Sequence, residues 1–175
     1  MKTRLGGILG YSEVNPSGCV NTGAINYCRY NTIGMASEHK SEVGGVVGYM
    51  DIETPTGLTN NATVRTTGSS PNSYTAGIIG RVGDTTTGFL NCNVGSSTGS
   101  KKTISGAGED SFGSSAAGLF CSDDSANAWD FTGCKVLSGT KCQNVEVTAA
   151  NLEDAVIGRN HPTSITNAPS IVASF

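Results

Sequence analysis

The chain has 175 residues, about the length of one domain, and combines 24 glycines with a charged fraction of only 14%. So low a charge, together with clustered apolar residues, excludes the intrinsically disordered class. The net charge of −3, with Lys101-Lys102 as the only basic cluster, argues against nucleic acid as a partner. No apolar stretch approaches the roughly 18–20 residues of a membrane-spanning helix, so we expect no membrane insertion.

A glycine-rich motif around a pair of apolar residues occurs four times. If Gly7, Gly45, Gly77 and Gly118 are taken as equivalent, the copies follow one another at intervals between 32 and 41 residues. Self-similarity at such a period indicates a repeat architecture. The four copies are LGGILGY (5–11), VGGVVGY (43–49), TAGIIGR (75–81) and AAGLFCS (116–122).

A second motif follows the first at nearly the same rhythm. We align its copies on Cys19, Asn61, Cys92 and Cys134. The spacing varies only in the segments between motifs, which is where stacked repeats accommodate loop insertions. The copies are SGCVNTG (17–23), LTNNATV (58–64), LNCNVGSSTG (90–99) and TGCKVLSG (132–139).

The six cysteines include no CxxC pair and no Cys/His cluster with zinc spacing, so no such metal site is predicted. Because three of them share a repeat position, we interpret them as small buried side chains in a stack. Disulfides are the alternative interpretation, and Cys134 and Cys142 would close a short loop.

Both motifs favour short strands, because they are rich in β-forming residues and too short and glycine-rich for helices. Stacked at this period, they predict an all-β fold, a parallel β-solenoid (β-helix) of about four coils with about three strands in each. Its core would be a narrow column of Ile, Val, Leu and Cys side chains. Asn61 is expected to contribute to an amide ladder along one corner.

The two ends of the chain are predicted to differ. Residues 1–145 carry the repeats, whereas 146–175 read as a C-terminal cap over the open sheet edge. In the cap, Thr148 or Asn151 can begin a helix that Gly158 ends, and a final strand follows. The N-terminal end lacks a cap and a leader peptide, so we expect further chain of the same protein before Met1.

The segments GGILGY, GGVVGY and AGIIGR resemble the GLUG-type repeat, and CQNVEVTAANLEDAVIG resembles repeat-rich surface proteins of gut-dwelling Gram-negative bacteria. The likeness covers about residues 5–158, and it departs from the pattern where Cys121 replaces the closing glycine of the fourth copy. It implies a secreted β-solenoid at the cell surface (outer membrane), of a kind associated with adhesion or glycan contact. It implies no catalytic residues and no cofactor.

Two rows of residues recur at fixed distances after the motif glycines. Stacked, exposed tyrosines offer sugars a flat apolar face and a hydroxyl, although a tyrosine at a strand end also simply covers a coil edge. An acidic row has three interpretations: turn residues facing solvent, a ridge binding Ca²⁺ or another ligand, or catalytic carboxylates. The first row is Tyr11, Tyr49, Arg81 and Ser122; the second is Glu13, Asp51, Asp84 and Asp123 or Asp124.

These rows support two functions of different classes. The favoured one is a non-catalytic section of an adhesin-like protein that binds host or dietary glycans or a host surface protein. The alternative is a β-helix polysaccharide lyase or glycoside hydrolase using the stacked carboxylates. Two other motifs carry little weight. Residues 95–99 match GxSxG but lie in a polar segment without the required strand and helix. The same stretch nearly imitates a phosphate loop, but Ser100 separates the glycine from Lys101, so the spacing is wrong.

Overall fold

The computed structural model describes residues 2–28, 40–67, 73–95, 103–105, 117–122, 128–158 and 164–175. These residues form a β-solenoid in which three regular turns each contribute four strands. Turn one holds β1 (Lys2–Gly6), β2 (Leu9–Ser12), β3 (Val20–Asn21) and β4 (Ile25–Cys28). Turn two holds β5 (Lys40–Gly44), β6 (Val47–Met50), β7 (Thr59–Asn61) and β8 (Val64–Thr67). Turn three holds β9 (Ser73–Ala76), β10 (Ile79–Val82), β11 (Asn93–Gly95) and β12 (Thr103–Ser105).

The rest of the chain continues the stack less regularly. It comprises β13 (Ala128–Asp130), β14 (Lys135–Leu137), β15 (Lys141–Cys142), β16 (Val145–Glu146), α1 (Leu152–Val156), β17 (Ser164–Thr166) and β18 (Ser170–Val172). Sheet A has the order β1-β5-β9, sheet B β2-β6-β10, sheet C β3-β7-β11-β14-β18 and sheet D β4-β8-β12-β15-β16. A two-stranded sheet, β13-β17, completes the set.

The predicted parallel solenoid is confirmed, since among the described residues every strand pair is parallel except the antiparallel β15–β16 pair. Each regular turn has four strands rather than about three, because the chain pairs again between the second motif and the next repeat. The fourth copy of the first motif adds only isolated bridges, Ala76–Gly118 and Ile79–Cys121. The prediction of about four coils therefore becomes three regular turns followed by partial ones.

The register corrects the sequence alignment of the fourth copy by one residue. Gly118 pairs with Ala76 and not with Gly77, so Cys121 occupies the interior position of Ile79. Ser122 donates its N–H to the Gly80 carbonyl at 3.2 Å and is fully buried. Cys121 thus does not replace the closing glycine, and Ser122 does not continue the tyrosine row.

The register also corrects the sequence alignment of the second motif, in its second copy, by three residues. Thr59 pairs with both Val20 and Asn93, so Leu58, and not Asn61, stands beside Cys19, Cys92 and Cys134 in the stack. The amide ladder exists, but at Asn21 and Asn60, whose backbones pair directly. The Asn21 Nδ2 donates to the Asn60 Oδ1 at 2.8 Å, and the Asn60 Nδ2 donates to the Ala62 carbonyl at 2.9 Å.

The two motifs keep step because the glycine of the first packs against a side chain of the second. A Cβ atom added at Gly45 would lie 2.0 Å from the Gly77 carbonyl oxygen and 2.4 Å from the Asn60 Cγ. At Gly77 the equivalent contact is with the Val94 Cγ2, at 2.4 Å. Only glycine permits so close an approach of adjacent turns, which explains its recurrence.

The core is a column of buried aliphatic side chains and cysteines, as predicted, with an aromatic cluster in its later part. Phe89 lies 5.5 Å from Phe120 and 5.9 Å from both Trp129 and Phe131, measured between ring centroids. All four rings are at most 1% exposed. They were not predicted because three of them fall outside the four copies of the first motif.

The five cysteines whose side chains are described are free thiols, which confirms the stacked-thiol interpretation over disulfides for these residues. Three of these sulfur atoms contact backbone carbonyls. The Sγ of Cys92 contacts the Pro55 carbonyl, that of Cys134 the Phe89 carbonyl, and that of Cys142 the Ala117 carbonyl. Burial raises the pKa of Cys142 to about 12, so this thiol stays protonated at neutral pH.

The C-terminal segment 146–175 extends the stack. Helix α1 ends at Val156, before Gly158, because Ile157 takes extended backbone and bridges to Cys121. Asn151 occupies the N-cap position without a side-chain capping bond, and its Oδ1 accepts instead from the Thr148 N–H at 2.8 Å. The predicted single final strand is two strands, β17 and β18, which pair in parallel with β13 and β14.

The first turn, at the other end, exposes apolar side chains whose counterparts in later turns are buried. Ile8 is 40% exposed, whereas Val46 and Ile78 at the same position in the next turns are fully buried. Leu9 is likewise only half-buried, whereas its counterparts Val47 and Ile79 are fully buried. The prediction that more chain lies upstream stays a prediction.

Replacing Gly45 by Ala should lower the free energy of unfolding by about 3 kcal/mol, because the new methyl group meets the backbone of the next turn. Urea unfolding followed by circular dichroism measures the loss. Gly23→Ala is the matched control, since a Cβ there meets nothing nearer than 3.7 Å. Equal unfolding midpoints for the two variants would contradict this account of the motif glycine.

Candidate functional site

The predicted tyrosine row lies along sheet B. Tyr11 pairs with Tyr49, and Tyr49 pairs with Arg81. The rings of Tyr11 and Tyr49 are nearly parallel, with an interplanar angle of 12° and a centroid distance of 5.7 Å. Tyr11 is 42% exposed and Tyr49 is half-buried, so the pair forms part of the surface. The parallel register thus brings three of the predicted site residues together.

A second row, along sheet A, faces this one and was missed by the sequence analysis. It consists of Arg4, Glu42 and Tyr74, which pair in register. Each member lies three residues before a motif glycine and seven before Tyr11, Tyr49 or Arg81. That fixed spacing is the signal that would have revealed it. Glycine-containing links of two residues join sheets A and B in each turn, and so hold the two rows together.

Arg4 connects the rows. Its guanidinium carbon lies 4.5 Å from the Tyr11 ring centroid and 4.3 Å from that of Tyr49, which is cation–π distance for both rings. Its Nε donates to the Glu42 Oε2 at 2.8 Å. The arginine therefore covers part of the tyrosine pair and fixes where a ligand can reach the rings.

Glu42 is the buried centre of the charges. Its side chain is fully buried and has three cations around it: Arg4, Lys2 at 3.6 Å and Arg81 at 3.7 Å. Arg81 also lies over the Tyr74 ring, with its guanidinium carbon 5.1 Å from the centroid. A buried carboxylate requires such compensation, so Glu42 positions the cations that frame the tyrosines.

The predicted acidic row is only partly regular. Glu13 and Asp51 follow the paired residues Ser12 and Met50 and so stand in adjacent turns, but the third place belongs to Gly83. Asp84 is exposed and falls one residue later. Asp124 lies outside the described residues, as do Asp123, His39, His161, Lys101-Lys102 and most of the 95–99 motif.

The two acidic residues in register have polar partners nearby. The Tyr11 hydroxyl donates to the Glu13 carboxylate. Asp51 donates its backbone N–H to the Ser12 carbonyl, and its Oδ1 accepts from the Thr85 hydroxyl at 3.5 Å. The carboxylates thus form local hydrogen bonds at the edge of the tyrosine pair, as turn residues do.

The acidic neighbours of the two tyrosines contribute to raising the pKa of their hydroxyls. The hydrogen bond to Glu13 is the largest cause that raises the pKa of Tyr11, and partial burial adds to it. For Tyr49 burial is the largest cause of a raised pKa, followed by the charge of Asp51. Both hydroxyls are therefore neutral at physiological pH and can donate hydrogen bonds.

The composite surface consists of Tyr11, Tyr49, Arg4, Lys2, Arg81, Glu13 and Asp51. We call it the tyrosine corner, and it is unrelated to the Greek-key motif of the same name. It offers apolar ring surface, guanidinium donors and carboxylate acceptors within one small area. These groups can bind a ligand that carries both C–H faces and hydroxyls. Among the described residues, no group of three or more His, Cys, Asp or Glu could hold a metal ion.

Two further findings concern the chain as a whole. Within the described ranges, no helix has the length and apolar character needed to cross a membrane. Comparisons with protein-family models, with curated protein sequences and with solved structures found no match to this chain.

Replacing Glu42 by Gln should lower the free energy of unfolding, because three cations would lose the carboxylate between them. We expect a loss of about 2 kcal/mol, below the ~3–5 kcal/mol typical of a broken buried pair, because Lys2 and Arg4 reach solvent. Chemical unfolding at low salt measures it. Glu53→Gln, at an exposed position, is the control. The same stability for both variants would contradict the role of Glu42.

Replacing Glu13 by Gln should lower the pKa of Tyr11 toward its ordinary value of 10.0. Ionisation of Tyr11 in the native protein creates a phenolate beside a carboxylate and removes the hydrogen bond that the hydroxyl donates, so the native pKa lies above that value. NMR titration of the tyrosine Cζ signals resolves the residue. Asp84→Asn is the control, and an unchanged Tyr11 titration in Glu13→Gln would refute the pairing.

Proposed function

We propose that this chain is a non-catalytic section of a bacterial cell-surface adhesin-like protein that binds host or dietary glycans through the tyrosine corner. The observation that carries the proposal is the nearly parallel pair of Tyr11, which is 42% exposed, and Tyr49, which is half-buried. Tyrosine rings present an apolar face to the C–H groups of a sugar and a hydroxyl to its polar groups. The resemblance to GLUG-type repeats supports the same function and a secreted, surface-exposed location.

The charged residues around the rings support a glycan over a purely apolar partner. Arg4 and Arg81 are held by Glu42, so their guanidinium groups are oriented before a ligand arrives. Glu13 and Asp51 supply acceptors for sugar hydroxyls at the same edge. The three cations of the corner are balanced by the carboxylates of Glu13 and Asp51 and by the buried Glu42 beneath them, so a neutral glycan suits the corner better than a strongly charged one. A host surface protein is the alternative partner.

The enzymatic alternative, a polysaccharide lyase or glycoside hydrolase, has less support. Its acid and base would come from the stacked carboxylates. Of these, Glu13 accepts from Tyr11, Asp51 lies near Thr85, and Gly83 occupies the third place in their row. We therefore propose binding without turnover, and we name no catalytic residue.

The proposal is tested by binding to a panel of host mucin glycans and plant polysaccharides, with Ca²⁺ and with a chelator. We expect a specific ligand whose affinity falls at least about tenfold, ~1.4 kcal/mol, in Tyr11→Ala and Tyr49→Ala, because the sugar loses its apolar platform. Phe175→Ala is the matched control, since Phe175 is 43% exposed and Tyr11 42%. A ligand bound equally well by all variants, or no ligand at all, would contradict the proposal.

The same panel separates the remaining interpretations. If the chelator and Asp51→Asn both weaken binding, Ca²⁺ takes part at the acidic row. Release of shortened or unsaturated sugar products by the native protein would contradict the non-catalytic assignment. If Asp51→Asn no longer released such products but still bound the glycan, the enzymatic alternative would replace the binding function.

A further inference from the structure

A cleft of about 250 Å³ opens on a different wall of the solenoid, between sheets B and C. Segments of three successive turns line it. Thr54 belongs to the second turn, Thr87 and Leu90 to the third, and Asp130 and Thr132 to the fourth. None of these residues belongs to the tyrosine corner. Leu90 and Thr132 begin copies of the second motif, but the sequence predicted no binding site there.

Gly88 lines the cleft at its middle turn. Backbone bridges from Thr56 to Leu90 and from Gly88 to Asp130 set the register, so Gly88 lies between Thr54 and Asp130. That row therefore has no side chain in its central place. A Cβ at Gly88 would lie 2.3 Å from the Asp130 carbonyl oxygen. The backbone of the next turn already fills the place of a side chain, so packing requires glycine here and the middle turn adds only backbone atoms to the wall of the cleft.

Asp130 presents a fixed carboxylate at one side of the cleft. Its Oδ1 accepts from the Thr132 N–H at 2.9 Å, the Thr132 hydroxyl at 2.8 Å and the Asn167 Nδ2 at 3.1 Å. These bonds lower its pKa, so the group is ionised at neutral pH. No described residue donates to its other oxygen, Oδ2, which is left available to a ligand.

The other side chains that line the cleft are either hydroxyl-bearing or apolar. The side chains of Thr54 and Thr87 are exposed, and no described group bonds to their hydroxyls. Leu90 is half-buried, and the buried Phe89 also lines the cleft. One carboxylate among hydroxyls is a poor site for Ca²⁺, which takes six to eight oxygens and several carboxylates. The carboxylate also disfavours anions.

We propose that this cleft binds one neutral sugar ring, with two ring hydroxyls donating to the Asp130 carboxylate and the C–H face packing on Leu90. The hydroxyls of Thr54 and Thr87 complete the polar contacts. The volume suits one ring and not an extended chain, so the cleft is a second site, separate from the tyrosine corner. It does not depend on the function proposed for that corner.

The test is an NMR titration of the full chain with the methyl glycosides of glucose, galactose and mannose, and separately with Ca²⁺. We expect at least one glycoside to cause saturable shifts of the Gly88, Leu90 and Asp130 amide signals. Asp130→Asn should weaken this binding about ten- to hundredfold, the usual range for losing a hydrogen bond to a charged group. Thr87→Trp, at an exposed position, should block the cleft and abolish the shifts.

Controls distinguish this site from the tyrosine corner and from damage to the fold. Glu153→Gln removes an exposed carboxylate on α1 and should bind as the native protein does. Tyr49→Ala should leave the shifts at the cleft unchanged, whether or not it alters binding of larger glycans. The proposal is overturned if no glycoside shifts the cleft signals, if Thr87→Trp binds normally, or if Ca²⁺ alone causes the shifts.

Discussion

The close approach of successive turns at the motif glycines is the constraint on which the rest of this structure depends. At Gly45 the space of a side chain is already filled by the next turn and by Asn60. Because the first motif packs directly on the second, neither can slip along the stack without a clash. The glycines therefore fix how sheets A and B, which carry the first motif, align with sheet C, which carries the second.

Register also explains how a chain with few charges builds a polar surface. Glu42 is buried at a strand position that parallel pairing places between Arg4 and Tyr74. Its carboxylate is tolerated only because cations from neighbouring turns surround it. The same cations lie on tyrosine rings. One set of side chains therefore both compensates the buried charge and shapes the surface. A change at Glu42 would alter both.

Stacking serves the two proposed sites in opposite ways. At the tyrosine corner, repetition of one residue type in adjacent turns places two aromatic rings next to each other, as Tyr11 and Tyr49 show. At the cleft, Gly88 stands between Thr54 and Asp130 without a side chain of its own, and segments of three turns together form a concave site. A solenoid can therefore offer both an extended platform and a small pocket, on different walls and without long loops.

The sequence by itself determined the parallel solenoid, the column of aliphatic residues and thiols, and the row from Tyr11 to Arg81, because spacing from the motif glycine fixes which face a residue occupies. Only the tertiary structure decided that Leu58 and not Asn61 joins the cysteines, that Cys121 points inward, that Arg4 meets Glu42, and that Asp130 borders a cleft. Those features depend on pairing between distant turns, where a shift of one residue exchanges the inner and outer faces of a strand. Local pattern specifies periodicity, but the register across turns follows from packing of the whole stack.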